Sequence, residues 1–168
     1  TRQQFLAELT AELQRQIIDI FPGEIRVKLS SNWPQETQEA SAFDETWEAD
    51  IRNGYTRNGA HNVDVKIQIE NKNIAGIFSR GQIKLFVCLL MLAQAKNQAE
   101  RTGVKPVILI DDYMAELDMT ASEYLLTKLA ESQFQVLLTN TEQQKVIKNK
   151  EIYKSFHVEH GRVSEIPV

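Results

Sequence analysis

Two short stretches of this 168-residue chain hold the residue types that could do chemistry: Phe78-Ser79-Arg80-Gly81-Gln82 and Val107-Ile108-Leu109-Ile110-Asp111-Asp112. The first places a hydroxyl, a cation, a glycine and an amide where a long apolar segment, Ile83 to Gln98, begins. A helix start leaves backbone N–H groups unpaired and carries the positive end of the helix dipole, so it favours an anion such as a phosphate. Ser79 would add a hydroxyl donor, Arg80 a positive charge, and Gly81 room for close backbone approach. The second stretch is an apolar run that ends on two carboxylates. A carboxylate at the carboxyl end of a central parallel strand sits in the crevice where open α/β sheets take their ligands. Adjacent carboxylates repel unless a cation or a shared proton relieves them. Mg²⁺ meets that need, because it accepts one or two carboxylates together with substrate phosphates. Asp111 is therefore expected to reach the metal, mostly through water, and Asp112 to orient and polarise an attacking water. The plainer alternative is a serine N-cap in the first stretch and a solvated acidic loop in the second. Glu116 and Asp118 follow closely as further ligands or caps. Asp118, just ahead of Met119-Thr120-Ala121, suits a helix N-cap.

The elements that must position these residues follow from hydrophobic periodicity. Phe5, Leu9, Leu13, Ile17 and Ile20 recur at helical spacing, and Pro22-Gly23 ends that helix. Ile25, Val27 and Leu29 alternate with charged residues and predict a short strand with one buried face. A turn at Asn32 to Gln35 leads to a second helical stripe, Ala40, Phe43, Trp47 and Ile51. Asn53 to Asn62 reads as loop. Val63, Val65, Ile67 and Ile69 predict a half-exposed strand, followed by a turn at Asn71-Lys72-Asn73. Ile83 to Gln98 is apolar on nearly all sides and predicts a deeply buried helix. Val107 to Ile110 has the texture of a parallel strand covered on both faces. A helix over Ala121 to Glu131, a buried strand over Val136 to Leu138, and an edge hairpin over Phe156 to Val163 complete the order. Alternating helices and strands predict an α/β layer.

Composition narrows the classes. The formal net charge of −4 excludes a simple basic nucleic-acid binder, so any DNA contact must come from local patches. The lone cysteine, Cys88, cannot form an internal disulfide, and its apolar neighbourhood points to a buried thiol in a reducing, cytoplasmic compartment. The chain shows neither a secretory signal at its start nor an apolar run of the ~20 residues that span a bilayer. It opens at Thr1 inside a helical pattern, which suggests a fragment of a longer protein.

At this combination the sequence resembles the RecF family of bacterial recombination proteins, relatives of the ABC-type and SMC-type ATPases. Phe78-Ser79-Arg80-Gly81-Gln82, with Lys84 after it, is similar to the family's signature motif. Val107 to Asp112 resembles its Walker B strand, and Ala115-Glu116-Leu117-Asp118 the D-loop that follows. Thr139-Asn140-Thr141 falls in the switch region. Gly54-Tyr55-Thr56 and Gly59-Ala60-His61 resemble the segment that returns from a helical lobe to the ATPase lobe, although the family's Pro-His-Arg is here Ala60-His61-Asn62. A structural role is expected for His61. The phosphate-binding G-x-x-x-x-G-K-[ST] loop occurs nowhere in the 168 residues.

The resemblance implies the C-terminal part of an ABC-type P-loop ATPase head, residues 56–168, attached to part of a helical arm lobe, residues 1–55. It implies a head-to-tail homodimer closed on ATP and Mg²⁺. One subunit would offer Ser79, Arg80, Gly81 and Gln82 to the nucleotide and Asp118 to the interface, while Asp111 holds the metal and Asp112 is catalytic. The implied partners are DNA at gaps and single-strand/double-strand junctions, and other recombination mediators. The chain by itself is expected not to hydrolyse ATP. Lys145, Lys148, Lys150 and Lys154 form a modest basic cluster for which a solvated face is the plainer role. Two alternatives stay open from the residues alone. One is a metal-dependent nuclease using Asp111, Asp112, Glu116 and Asp118 as a two-metal cluster. The other is a non-enzymatic interaction module.

Overall fold

The structure, a computed structural model, describes residues 2–31, 47–55, 63–141 and 154–166. The chain divides into two compact units, one of residues 1–10 and 23–77, the other of residues 11–22 and 78–168. Helix α1 (Arg2–Ile17) contributes to both.

In the first unit, β1 (Ile25–Ser31), β2 (Val63–Ile69) and β3 (Lys72–Asn73) form an antiparallel sheet in that order. The register sets Ile25 beside Ile69 and Val27 beside Ile67, so the alternating apolar residues of both strands share one face. Ile25 and Ile69 are buried. Gly23 has φ +123°, and a Cβ there would press on the Ile69 and Glu70 side chains, so the residue that ends the α1 connection must be glycine. The predicted turn at Asn71-Lys72-Asn73 sits one residue earlier. Glu70 and Asn71, both at positive φ, make the two-residue link, and Lys72 and Asn73 already pair with β2. Right-handed strand twist favours such links. A short 3-10 helix, Ile74–Gly76, then leads out of the unit. Residues 47–53 are helical, but Trp47 and Ile51 are exposed rather than forming a buried stripe. The rest of that stripe and the 56–62 loop, His61 included, lie outside the described residues.

The second unit holds α2 (Arg80–Thr102), β4 (Val107–Ile110), α3 (Met119–Glu131), β5 (Gln135–Leu138), and the hairpin β6 (Ser155–Glu159) and β7 (Arg162–Ile166). Its core joins Leu13 and Ile17 of α1, Leu85, Phe86, Leu89 and Leu92 of α2, and Leu125, Leu126 and Leu129 of α3. Phe21, Phe78 and Phe86 form a ring cluster. Phe21 and Phe78 stack at 4.6 Å between centroids, and Phe86 meets Phe78 edge-on at 5.9 Å. That cluster anchors the chain immediately before α2 begins. Polar ties join the helices as well. Glu12 pairs with Lys96 at 3.3 Å, and the Tyr124 hydroxyl donates to the Gln16 carbonyl.

Two expectations are corrected here. Helix α2 is buried along one stripe only, since Val87 and Met91 are exposed. Strand β4 pairs in parallel with β5 as expected, yet it is not covered on both faces: Leu109 is 72% exposed and Leu137 of β5 51%. Alternate strand residues face opposite sides of a sheet. Among the described residues this sheet has two strands, and only Ile108, Ile110, Val136 and Leu138 are partly covered. Cys88 is half-buried. Burial pushes its thiol pKa up, against a smaller downward pull from the Lys84 ammonium, which fits an unreactive cysteine. The C-terminal hairpin turns at His160-Gly161 as expected, both at positive φ. No helix among the described residues is long and apolar enough to cross a membrane.

Candidate functional site

The helix start and the strand end both lie in the second unit. Ser79 is the N-cap of α2. Its hydroxyl accepts the Gln82 N–H at 3.2 Å, while the Gln82 side-chain oxygen accepts the Ser79 N–H at 2.9 Å. This reciprocal pair satisfies two helix-start donors and fixes where the helix begins. Ser79, Arg80 and Gln82 are exposed, so the start of α2 is open to a ligand. Gly81 also has a role within the fold. A Cβ at Gly81 would overlap the backbone carbonyl oxygen of Glu116, so the missing side chain admits a close approach by the chain's own loop.

The strand end is organised by the parallel ladder. Ile110 pairs with Leu138, so the next residues, Asp111 and Thr139, also stand side by side. The Thr139 hydroxyl donates to the Asp111 carboxylate and accepts the Asp112 N–H at 2.8 Å. The Thr139 backbone continues the ladder, donating to the Ile110 carbonyl and accepting the Tyr113 N–H. Asp111 is exposed at the strand tip, and Asp112 is half-buried beside it. Asp112 adopts φ +44° and Glu116 φ +67°, left-handed conformations that are uncommon outside glycine. They bracket a loop of two successive turns, with Ala115 N–H on the Asp112 carbonyl and Leu117 N–H on the Met114 carbonyl. Lys84, one turn into α2, donates to the Asp112 carbonyl at 2.8 Å and to the Ala115 carbonyl at 2.7 Å.

Asp118 caps α3. Its carboxylate accepts the Ala121 N–H at 2.7 Å. Replacing Asp118 with alanine is expected to cost about 1 kcal/mol of stability, whereas Asp118→Asn, which keeps the cap, should cost little. Paired denaturant unfolding curves check this; equal losses for the two variants would remove the capping role.

The acids do not gather into a cluster. Among the described residues no three His, Cys, Asp or Glu side chains come together to hold a metal ion. The two-metal nuclease arrangement of Asp111, Asp112, Glu116 and Asp118 therefore gains no support. A single exposed carboxylate with one oxygen already oriented by a hydroxyl does fit Mg²⁺, which takes few protein ligands and completes its shell with phosphate and water. Lys84 and Thr139 are the residues whose roles periodicity did not reveal. Two signals were available: the three-residue spacing of Gly81 and Lys84 along one helix face, and the matching phase of the apolar runs that end at Ile110 and Leu138. Lys145, Lys148 and Lys150 lie outside the described residues, and Lys154 pairs with Glu165 at 3.2 Å.

With this geometry in hand, comparison with known proteins gives a consistent answer. No protein-family model matches the chain. Among solved structures, it superposes on the recombination mediator protein RecF-ATP of the RecFOR pathway with a TM-score of 0.73 at 23% identity, covering 99% of this chain and 45% of that one. A chain from a study of ATP-driven dimerization and DNA-stimulated activation of SMC ATPases superposes with a TM-score of 0.55 at 14% identity, covering 98% of this chain and 86% of that one. The fold is thus the α/β fold of RecF and SMC ATPase heads. By sequence the chain is 34% identical over 158 residues to the DNA replication and repair protein RecF of Aliivibrio salmonicida, covering 92% of this chain and 44% of the relative. It is 34% identical over 169 residues to that of Shewanella piezotolerans, covering 98% and 47%. The chain belongs to the RecF family and corresponds to a C-terminal portion of it. It spans about half the length of the curated relatives it matches.

Proposed function

We propose that this chain is the C-terminal portion of an ATPase of recombinational DNA repair and replication restart, and that it works as an ATP-dependent homodimer on gapped or single-strand/double-strand junction DNA. The observation that carries the reading is the pairing, within one compact unit, of an exposed Ser79-Arg80 helix start with an exposed aspartate at a parallel strand tip. In this reading Ser79, Arg80, Gly81 and Gln82 meet the terminal phosphate held by the opposite subunit. The open N-terminus of α2 suits an anion, and the Arg80 guanidinium adds charge-assisted donors. Asp111 is the metal-holding residue, and Asp112, fixed by its backbone at both ends, positions the attacking water. Bound Mg²⁺ would supply charge neutralisation on the phosphates. Asp118 faces the partner subunit from the α3 cap. Residues 1–55 would belong to a helical arm lobe and residues 56–168 to the head, with recombination mediators as partners in the cytoplasm.

Nucleotide acts here by binding the dimer better than the monomer, which shifts the population toward dimer. The test is Ser79→Arg in the full-length protein. Dimerisation on ATP, followed by light scattering, is expected to vanish while monomer ATP binding stays nearly intact. Loss of the serine cap itself should cost only about 1 kcal/mol, and Ser79→Ala isolates that share. Unchanged dimerisation in Ser79→Arg would refute the cross-subunit role.

A further inference from the structure

We propose that Lys84 is a positioning residue, which holds Asp112 in its working orientation and ties that orientation to the start of α2; this rests on the ATPase reading above. The residues stand in a direct chain. Arg80 and Lys84 are four apart and Gly81 and Lys84 three apart, so they share one helix face. From that face Gly81 admits the Glu116 carbonyl, and Lys84 binds the Asp112 and Ala115 carbonyls. The loop from Asp112 to Glu116 is thereby held at both ends by one turn of α2. Both ends have positive φ, a conformation that persists in residues other than glycine only when the surroundings determine it. An ammonium has no acceptor capacity and three donors, two of which are spent on these carbonyls. Lys84 is only partly exposed, and its two bonds run to backbone atoms, so they fix the Asp112 main chain and not its carboxylate. On the other side Asp112 is pinned through its N–H to Thr139. The start of α2 and the Asp112 backbone are thus joined through Lys84 and Gly81 on one side, with Thr139 on the other.

The test is Lys84→Met in the full-length protein, with Lys84→Arg as the conservative partner and Ser79→Arg as the reference. Lys84→Met should lower kcat for ATP roughly a hundred-fold, since small misplacements of a catalytic group cost that much. It should leave KM and ATP-dependent dimerisation nearly unchanged, the pattern of an interaction made only in the transition state. Lys84→Arg keeps donors for both carbonyls and should recover most of the turnover. Hydrogen exchange in Lys84→Met should quicken at the Tyr113, Ala115 and Leu117 amides and stay slow in α3. Wild-type turnover in Lys84→Met, or quickened exchange spread evenly over α2, α3 and the loop, overturns the positioning role. If Ser79→Arg dimerises normally, the ATPase reading falls, and this inference falls with it. If Ser79→Arg fails to dimerise and Lys84→Met is fully active, only the inference falls.

Discussion

Asp112→Asn in the full-length protein is expected to cut ATP turnover by about 10²- to 10⁴-fold, the usual worth of a positioned general base. The substitution is chosen because it removes charge and little else. Asparagine matches aspartate in shape and tolerates the left-handed backbone that Asp112 adopts at φ +44°. The backbone contacts that fix this residue, its N–H on Thr139 at 2.8 Å and its carbonyl on Lys84 at 2.8 Å, do not involve the carboxylate. The fold should therefore be untouched. Dimerisation on ATP should persist and outlast that of the wild type, because in the proposed mechanism hydrolysis would release it. Phosphate release measured beside light scattering reads both effects. A variant that turns over ATP within a few-fold of wild type would remove Asp112 from the reaction.

Phe86→Ala is expected to cost about 3–5 kcal/mol, the range for emptying a fully enclosed aromatic position. Phe86 has no exposed surface, and it closes the ring cluster with Phe21 and Phe78 that anchors the start of α2. Single domains hold about 5–15 kcal/mol in all, so this loss would take much of the margin. A domain of this size loses roughly 2–4 °C of Tm per kcal/mol, which predicts a drop near 10 °C. Met91→Ala on the same helix is the contrast. Met91 is 65% exposed, and its replacement should stay within about 0.5 kcal/mol. Thermal and denaturant unfolding of both variants gives the comparison. Equal costs would restore the all-round burial that the apolar composition of Ile83 to Gln98 suggested.

That contrast shows where the sequence was legible. Hydrophobic period, caps and turns act over a few residues, so they can be read along the chain. The α1 helix with its Pro22-Gly23 stop, the alternating β1 and β2 strands, the Asp118 cap and the His160-Gly161 hairpin turn all rest on such local rules. The same holds for the site: a serine before a long helix and a carboxylate after an apolar strand are visible as residue types at fixed spacing. Burial was the weaker inference. Val107 to Ile110 reads as a core strand because its residues are apolar, but what covers a strand depends on which segments fold against it, and within this chain, about half the length of its relatives, Leu109 is left exposed.

The sequence by itself marked the candidate site residues, Ser79, Arg80, Asp111 and Asp112, and the elements that end on them. Only the tertiary structure decided what aims them. The acceptors of Lys84 are backbone carbonyls of Asp112 and Ala115, and every residue owns a carbonyl, so helix spacing can set Lys84 on the Gly81 face but cannot name its partners. The overlap that forbids a side chain at Gly81 involves another such carbonyl, at Glu116. The Thr139 hydroxyl reaches Asp111 because two strands distant in sequence align in parallel register. Backbone groups far apart along the chain become specific partners only when the fold brings them together.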